Sequence, residues 1–224
     1  MPHPHETIAS VETKDGKLEL LRLYAGDWII MQDQYALMSS RQRKSELALA
    51  EMACAPLAKR TAPRVLIAGL GMGYTLRAAL DVLPPDAEVV TAELNETVVA
   101  WNREHLADLA GRPLDDSRVR LEVTDVSLLI RQASGAKLPK QYDAIVLDLY
   151  EGPYPGTAES VFGHEALERA RMALRPDGCL AIWSEGSVAK FERLLRKCGF
   201  RVEEHRPKHK GPRHVVYLAW PRRA

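Results

Sequence analysis

Residues 65–74 read VLIAGLGMGY, and this stretch decides the fold. An apolar strand runs into Gly69, Gly71 and Gly73 and then directly into a helical stretch, TLRAAL. Glycine lets the backbone turn tightly and pass close to a ligand, because no Cβ stands in the way. A dinucleotide fingerprint would place glycine at position 74, where this chain has Tyr74. The pattern favours a nucleoside ligand without a pyrophosphate, although a tight strand-to-helix turn alone would give the same pattern.

Strand and helix patterns alternate from this turn onward and predict a mostly parallel sheet. Nearly continuous apolar runs predict strands at 64–69, 88–93, 118–123, 142–148 and 179–184, and helices are predicted near 74–83, 95–110, 126–134, 159–174 and 187–198. Such strands are typical of a sheet that helices cover on both faces. The final runs FRVEEHRP and VVYLAWP predict an antiparallel hairpin. The predicted fold class is α/β, a Rossmann-like class I methyltransferase fold with a C-terminal antiparallel hairpin.

The first sixty residues have a different pattern. Short β-rich runs are separated by Asp15-Gly16 and Gly26-Asp27, which predicts a small antiparallel sheet. A helix is predicted from Ser39 to Arg60, and Pro63 closes it. We therefore expect residues 1–60 to form a β-rich extension with a helix, and residues 61–224 to form the catalytic domain.

Composition excludes several classes of protein. The formal net charge of +1 argues against a nucleic-acid-coating protein, since phosphate binding requires a large basic surplus. No apolar run approaches the roughly 18 residues of a membrane span, and MPHPHETIAS lacks the apolar segment of a signal peptide. We expect a cytoplasmic protein without nucleic acid or membrane as a partner. The three cysteines form no CxxC pair and the histidines show no ligand spacing, so no metal site is expected.

Carboxylates follow three successive predicted strands. Glu93 ends the second strand, where it could accept hydrogen bonds from both ribose hydroxyls of a nucleoside, with Leu94 beside it. Asp125 follows the third strand, where it could take an adenine amino group while Val126 packs near the ring. Asp148 ends the fourth strand. Because parallel strand ends line one crevice, these residues predict a single site, although each alone could also be a helix cap.

Four segments carry a resemblance to a known family. They are VLIAGLGMG, AELNETVVAWNREHL, TDVSLLI and YDAIVLDLYEGPYPGTAESVFGHEAL. With these segments the chain resembles the spermidine synthases, from about Trp28 to the C-terminus. The last segment looks like the family's gate loop, DSSDPxGPAExLF, with Asp148 at the first Asp and Glu151 at the second. The resemblance implies that Asp148 deprotonates the attacking amine and that Glu151 holds the amine substrate.

The chain departs from the family at two places. The family's glycine loop reads GGGDGG, and its Asp contacts the amino end of decarboxylated S-adenosylmethionine, whereas this chain has Met72 there. The family's Tyr-Gln pair, which lines the polyamine groove, falls on Leu49-Ala50. A neutral Met72 does not repel the carboxylate of intact S-adenosylmethionine. We therefore expect methyl transfer from S-adenosylmethionine to a small amine, with aminopropyl transfer from decarboxylated S-adenosylmethionine and a noncatalytic nucleoside-binding protein as alternatives.

Three further residues are predicted to bind substrate. Tyr74 and Tyr150 could wall the pocket, because aromatic faces attract an amine or a sulfonium cation. Arg41 could pair with a carboxylate of donor or acceptor, or it could be a solvated charge at a helix start. A small-molecule amine is the expected partner, and a homodimer is left open.

Overall fold

The computed structural model describes residues 5–14, 16–135, 141–149, 161–207 and 214–222. The chain forms two compact units, Met1–Arg43 and Lys44–Ala224. The helix that follows Arg43 is thus part of the larger unit, while the predicted domain boundary after residue 60 stays a prediction. No helix among the described residues has the length and apolar character required to cross a membrane.

The smaller unit is a four-stranded antiparallel sheet. Its strands follow chain order: β1 His5–Thr13, β2 Gly16–Leu23, β3 Trp28–Gln32 and β4 Tyr35–Ser39. Thr13 pairs with Gly16 across the predicted hairpin. Gly16 has a φ of +115°, and a Cβ there would lie 2.4 Å from a carboxylate oxygen of Asp33. The turn therefore requires glycine at this position.

The larger unit is built on a seven-stranded sheet with the order β10-β11-β9-β8-β5-β6-β7. The strands are β5 Arg64–Ala68, β6 Glu88–Glu93, β7 Val119–Val123, β8 Tyr142–Leu147, β9 Leu174–Ser184, β10 Phe200–His205 and β11 Val215–Pro221. Strands β5 to β9 pair in parallel, and β11 runs antiparallel to both β9 and β10. The predicted parallel sheet with its terminal hairpin is confirmed.

Helices cover both faces of this sheet. They are α1 Lys44–Cys54, α2 Tyr74–Val82, α3 Glu96–Glu104, α4 Val126–Ser134, α5 His164–Ala173 and α6 Ala189–Lys197. Side chains of β5 alternate between the faces: Val65 and Ile67 pack with α1, α2 and α3, whereas Leu66 packs with α4, α5 and α6. This double burial explains why the strand sequences are continuously apolar.

The predicted helix from Ser39 to Arg60 is wrong in extent. The α-helix covers only Lys44–Cys54, between short 3₁₀ turns at Ser40–Gln42 and Ala55–Leu57. Pro56 lies in the second turn and has no N–H to donate, so the α-helical hydrogen bonds end before it.

A buried carboxylate connects the starts of three strands, at the end of the sheet opposite the glycine turn. Asp143, at the start of β8, is 1% exposed and accepts a 2.7 Å hydrogen bond from the backbone N–H of Arg64. Its other oxygen lies 2.7 Å from Arg60 Nε and 3.3 Å from Arg175 Nη1. Because a buried charge requires partners, these contacts hold the starts of β5 and β9 against β8.

Removing this carboxylate should destabilise the larger unit. We expect Asp143→Ala to lower the free energy of unfolding by about 2–4 kcal/mol, because the backbone N–H of Arg64 loses its acceptor and two guanidinium groups lose their counter-charge. Urea denaturation measures the difference. Asp177→Ala is the matched control, since Asp177 also pairs with Arg60 but its side chain is 57% exposed; it should cost about 1 kcal/mol or less. Equal losses in the two variants would contradict the structural role of Asp143.

Candidate active site

The glycine turn lies where the strand order reverses, between β5 and β8. Gly69, Gly71 and Gly73 have φ values of +88°, +53° and +82°, in the left-handed region that favours glycine. A Cβ on Gly69 would lie 2.2 Å from the backbone carbonyl oxygen of Asp148. The chain after β5 therefore packs directly on the chain after β8, and this contact admits only glycine.

Asn102, which the sequence analysis missed, supports the glycine turn. Its side chain is 5% exposed and donates 2.7 Å to the carbonyl of Gly71 and 2.9 Å to that of Val98, within α3. A Cβ on Gly73 would lie 3.3 Å from the Asn102 carboxamide oxygen. A polar residue that falls on the buried face of a predicted amphipathic helix was the signal available in the sequence.

Glu93 joins the glycine turn to the start of α3. Its carboxylate oxygens accept 2.9 Å hydrogen bonds from the backbone N–H groups of Leu70 and Asn95. A carboxylate oxygen has two lone pairs, so each oxygen can accept a further bond from a ribose hydroxyl. Leu94, the next residue, is 67% exposed. Glu93 thus stands at the predicted place, and its ribose contact stays a prediction.

Asp125 lies at the end of the next strand and caps α4. Its carboxylate accepts a 2.8 Å hydrogen bond from the backbone N–H of Ser127, and the residue is exposed. Val126 is buried in the core on one face of the sheet. The capping role that the sequence left open is therefore present, and the adenine contact stays a prediction.

Asp148 follows β8 directly and is fixed by two hydrogen bonds. Its backbone N–H donates 3.0 Å to the carbonyl of Ala68, and its carboxylate accepts a hydrogen bond from the hydroxyl of Thr75 in α2. Burial raises the pKa of Asp148 to about 6, while the Thr75 hydrogen bond acts in the opposite direction. A carboxylate with a pKa near neutrality is suited to accept and release a proton at physiological pH.

Glu46, on the first turn of α1, is a second half-buried carboxyl in this region. Burial and the negative charge of Asp148 raise the pKa of Glu46 to about 8, and its own backbone N–H opposes the shift. Its Oε2 is inaccessible to solvent and has no hydrogen-bond partner among the described residues. The sequence analysis missed Glu46, because nothing in its spacing distinguishes it from the exposed Glu51 of the same helix.

Four further residues were predicted to contact the substrate. Tyr74 is the first residue of α2 and is 6% exposed. Arg41 belongs to the smaller unit, where its Nε lies 2.6 Å from a carboxylate oxygen of Asp27. Tyr150 and Glu151 lie outside the described residues. The substrate contacts proposed for these four residues stay predictions.

The three residues at which the sequence departs from the spermidine synthase pattern are buried. Met72, in the glycine turn, is 4% exposed, and Leu49 and Ala50 of α1 are fully buried in the core. The two α1 side chains therefore fill the core and cannot line a groove.

A protein-family model matches the part of the chain that carries the glycine turn and the carboxylates at the strand ends. Residues 49–196 match the model of the spermine/spermidine synthase domain. The chain belongs to this family. The match includes the glycine turn, Glu93, Asp125 and Asp148, whereas Glu46 lies before it.

Curated relatives of the chain are named as polyamine aminopropyltransferases. A polyamine aminopropyltransferase of Korarchaeum cryptofilum is 29% identical over 145 residues, covering 63% of this chain and 42% of the relative. Polyamine aminopropyltransferase 1 of Hyperthermus butylicus is 31% identical, covering 60% and 44%. Polyamine aminopropyltransferase 2 of Caldanaerobacter subterraneus is 35% identical, covering 58% and 41%. The matched part thus spans less than half the length of each of these relatives.

Solved structures share the fold over nearly the whole chain. A spermidine synthase in complex with the transition state analogue AdoDATO has a TM-score of 0.71 at 17% identity, covering 96% of this chain and 71% of that one. The spermidine synthase of Thermotoga maritima has a TM-score of 0.70 at 18% identity, covering 96% and 72%. At these identities the likeness establishes the fold.

The expectation of a methyltransferase is wrong. The similar curated proteins are named for aminopropyl transfer, and the similar solved structures are spermidine synthases. The expectation depended on Met72, which removes a negative charge from the turn. A neutral side chain neither attracts an ammonium nor repels a carboxylate, so Met72 does not discriminate between the two donors.

The raised pKa values predict a pH dependence of stability. Between the unfolded pKa of Glu46, 4.5, and its native value of about 8, the native state holds a proton that the unfolded state releases. The free energy of unfolding should therefore fall as the pH rises from 5 to 8.5, below the range in which the buried thiols Cys54 and Cys179 ionise. The glutamine of Glu46→Gln cannot ionise. From pH 5 to pH 8.5 the free energy of unfolding of this variant should therefore fall by about 1–3 kcal/mol less than that of the native chain.

Urea denaturation at several pH values measures this slope. Glu51→Gln is the matched control, because Glu51 is exposed on the same helix and its variant should keep the native slope. Identical slopes for Glu46→Gln and the native chain would contradict the buried position of Glu46.

Proposed function

We propose that the protein transfers an aminopropyl group from decarboxylated S-adenosylmethionine to an aliphatic amine. The observation that carries this proposal is Asp148, a half-buried carboxylate with a pKa near neutrality, whose backbone packs against the glycine turn of a spermine/spermidine synthase domain. The names of the relatives support the same chemistry. An aliphatic ammonium has to lose a proton before its nitrogen can attack, and Asp148 is placed to accept it.

The donor would lie along the ends of β5, β6 and β7. Glu93 would accept hydrogen bonds from the ribose hydroxyls, since the amides of Leu70 and Asn95 already fix its carboxylate. Asp125 and Val126 would contact the adenine, which agrees with the exposed position of the Asp125 carboxylate. Gly69 and Gly71 would let the donor approach the backbone, because no side chain intervenes.

The reaction needs orientation and a single proton acceptor. The ammonium of the acceptor gives a proton to Asp148, and the freed lone pair forms a bond to the propyl carbon attached to sulfur. The bond between that carbon and sulfur breaks, and its electron pair returns to sulfur, so the sulfonium becomes the neutral thioether methylthioadenosine. The new secondary amine keeps the positive charge as an ammonium. Holding the nitrogen in line with the carbon–sulfur bond is therefore the main task of the protein.

Product analysis tests the proposed transfer. Purified protein is incubated with an aliphatic diamine and either decarboxylated or intact S-adenosylmethionine. We expect methylthioadenosine and the aminopropylated amine with the decarboxylated donor, because the relatives are named for that transfer. Liquid chromatography with mass spectrometry identifies both products. Binding of the decarboxylated donor without turnover of any tested amine would favour a noncatalytic protein instead.

Asp148→Asn should separate catalysis from donor binding. Asparagine keeps the shape of the side chain but cannot take the proton, so we expect turnover to fall by roughly two to four decades. Donor affinity, measured by calorimetry, should change little. Asp177→Asn is a suitable comparison, because the side chain of Asp177 is 57% exposed and lies outside the proposed site, so the turnover of this variant should stay near the native value. A folded Asp148→Asn protein with near-native turnover would remove Asp148 as the base.

A further inference from the structure

Glu46 is brought to the carboxyl ends of the strands by the packing of α1. This helix packs against α2, β8, β9 and β11, on the face of the sheet that also holds Val65 and Ile67. Its first turn carries Glu46, and Asp148 follows β8 close enough for its charge to act on Glu46. The family match begins at residue 49, three residues after Glu46.

In the part of the chain that the structure describes, no lysine or arginine pairs with either carboxyl. No positive charge among those residues acts on the ionisation of Glu46 or Asp148. On the elements that pack against α1, Arg77 instead pairs with Asp81 at 2.7 Å. His214 lies 2.9 Å from the hydroxyl of Ser45 through its Nδ1.

A carboxyl oxygen that is buried without a partner is destabilising, and such carboxyls are concentrated at functional sites, where a ligand can supply the missing contact. Oε2 of Glu46 is both inaccessible to solvent and without a partner among the described residues. Asp148 holds a hydrogen bond from Thr75 on one oxygen. A primary ammonium carries one positive charge and three N–H donors, so it can satisfy both carboxylates at once.

We propose that Glu46 is a substrate-binding residue, which together with Asp148 holds the primary ammonium of the amine acceptor. This inference rests on the proposed aminopropyl transfer and names the group that the acceptor side recognises. Glu46 would take over from the family's Tyr-Gln pair, since Leu49 and Ala50, which occupy that place here, are buried in the core.

The pair also explains how a buried ammonium could be both bound and deprotonated. Without substrate, Glu46 is neutral at pH 7, because burial raises its pKa to about 8. An arriving ammonium favours the ionised form of Glu46, so its proton leaves to solvent. Asp148, with a pKa of about 6, is already ionised at pH 7 and can take the proton of the attacking nitrogen. Glu46 binds, and Asp148 acts as the base.

Steady-state kinetics and calorimetry of Glu46→Gln provide the test. The probes are 1,4-diaminobutane and spermidine as acceptors, with decarboxylated S-adenosylmethionine as donor. We expect KM and Kd for the acceptor to rise about 10- to 100-fold, as for a lost charge-assisted hydrogen bond, while donor affinity stays native. Glu51→Gln, an exposed position on the same helix, should keep native values.

Proton release provides a readout that a structural role of Glu46 would not change. Calorimetry of diamine binding at pH 7, in two buffers with different ionisation enthalpies, gives the number of protons released. We expect about one proton from the native protein and from Glu51→Gln, and close to none from Glu46→Gln. Butane-1,4-diol, which has no ammonium, should release none.

The outcomes separate this inference from the proposed function. Aminopropyl transfer with an unchanged acceptor KM in Glu46→Gln would overturn the role of Glu46 and leave the function standing. Diamine binding with proton release that depends on Glu46, but without aminopropyl transfer, would support the ammonium site and overturn the function. If Glu46→Gln does not fold, the native protein decides, since diamine binding at pH 7 without proton release would overturn the inference.

Discussion

The contact between Gly69 and the carbonyl of Asp148 is the constraint on which the rest of the site depends. Any side chain at position 69 would place a Cβ 2.2 Å from that oxygen. Because the backbones meet there, α2 begins close to the end of β8, and the hydroxyl of Thr75 reaches the Asp148 carboxylate. The same turn brings the amide of Leu70 to Glu93. One close backbone approach thus connects the proposed donor side of the site with the proposed acceptor side.

Most of the fold could be predicted from local patterns in the sequence. The strands of the parallel sheet are apolar along their whole length because both faces are covered, so β5, β6 and β8 were predicted to within one residue. The glycine spacing predicted the turn because the turn has three positive φ values within five residues, and these favour glycine. The helix predicted from Ser39 to Arg60 failed because its apolar residues continue beyond Pro56, which stops the α-helical hydrogen bonds.

The site was only partly predictable, because its contacts cross between distant parts of the chain. Glu93 and Asp148 could be placed from their strand ends alone. Thr75, Asn102 and Glu46 could not, since their importance lies in what they face after folding. Donor chemistry was mispredicted for a different reason: the loss of an acidic residue at position 72 was interpreted as selection for a carboxylate, although a neutral residue selects neither donor.

The hydrogen bonds of Glu93 and Asn102 have a consequence for product release in the proposed reaction. Backbone amides hold Glu93, and Asn102 holds the carbonyl of Gly71, so the proposed nucleoside half of the site is held in place without a ligand. A preformed cradle requires little loss of conformational entropy on binding. It also treats alike any two ligands that share the same nucleoside. Since the donor and the thioether left after transfer share it, such a cradle would retain the spent nucleoside, and product inhibition would follow from the rigidity that favours binding.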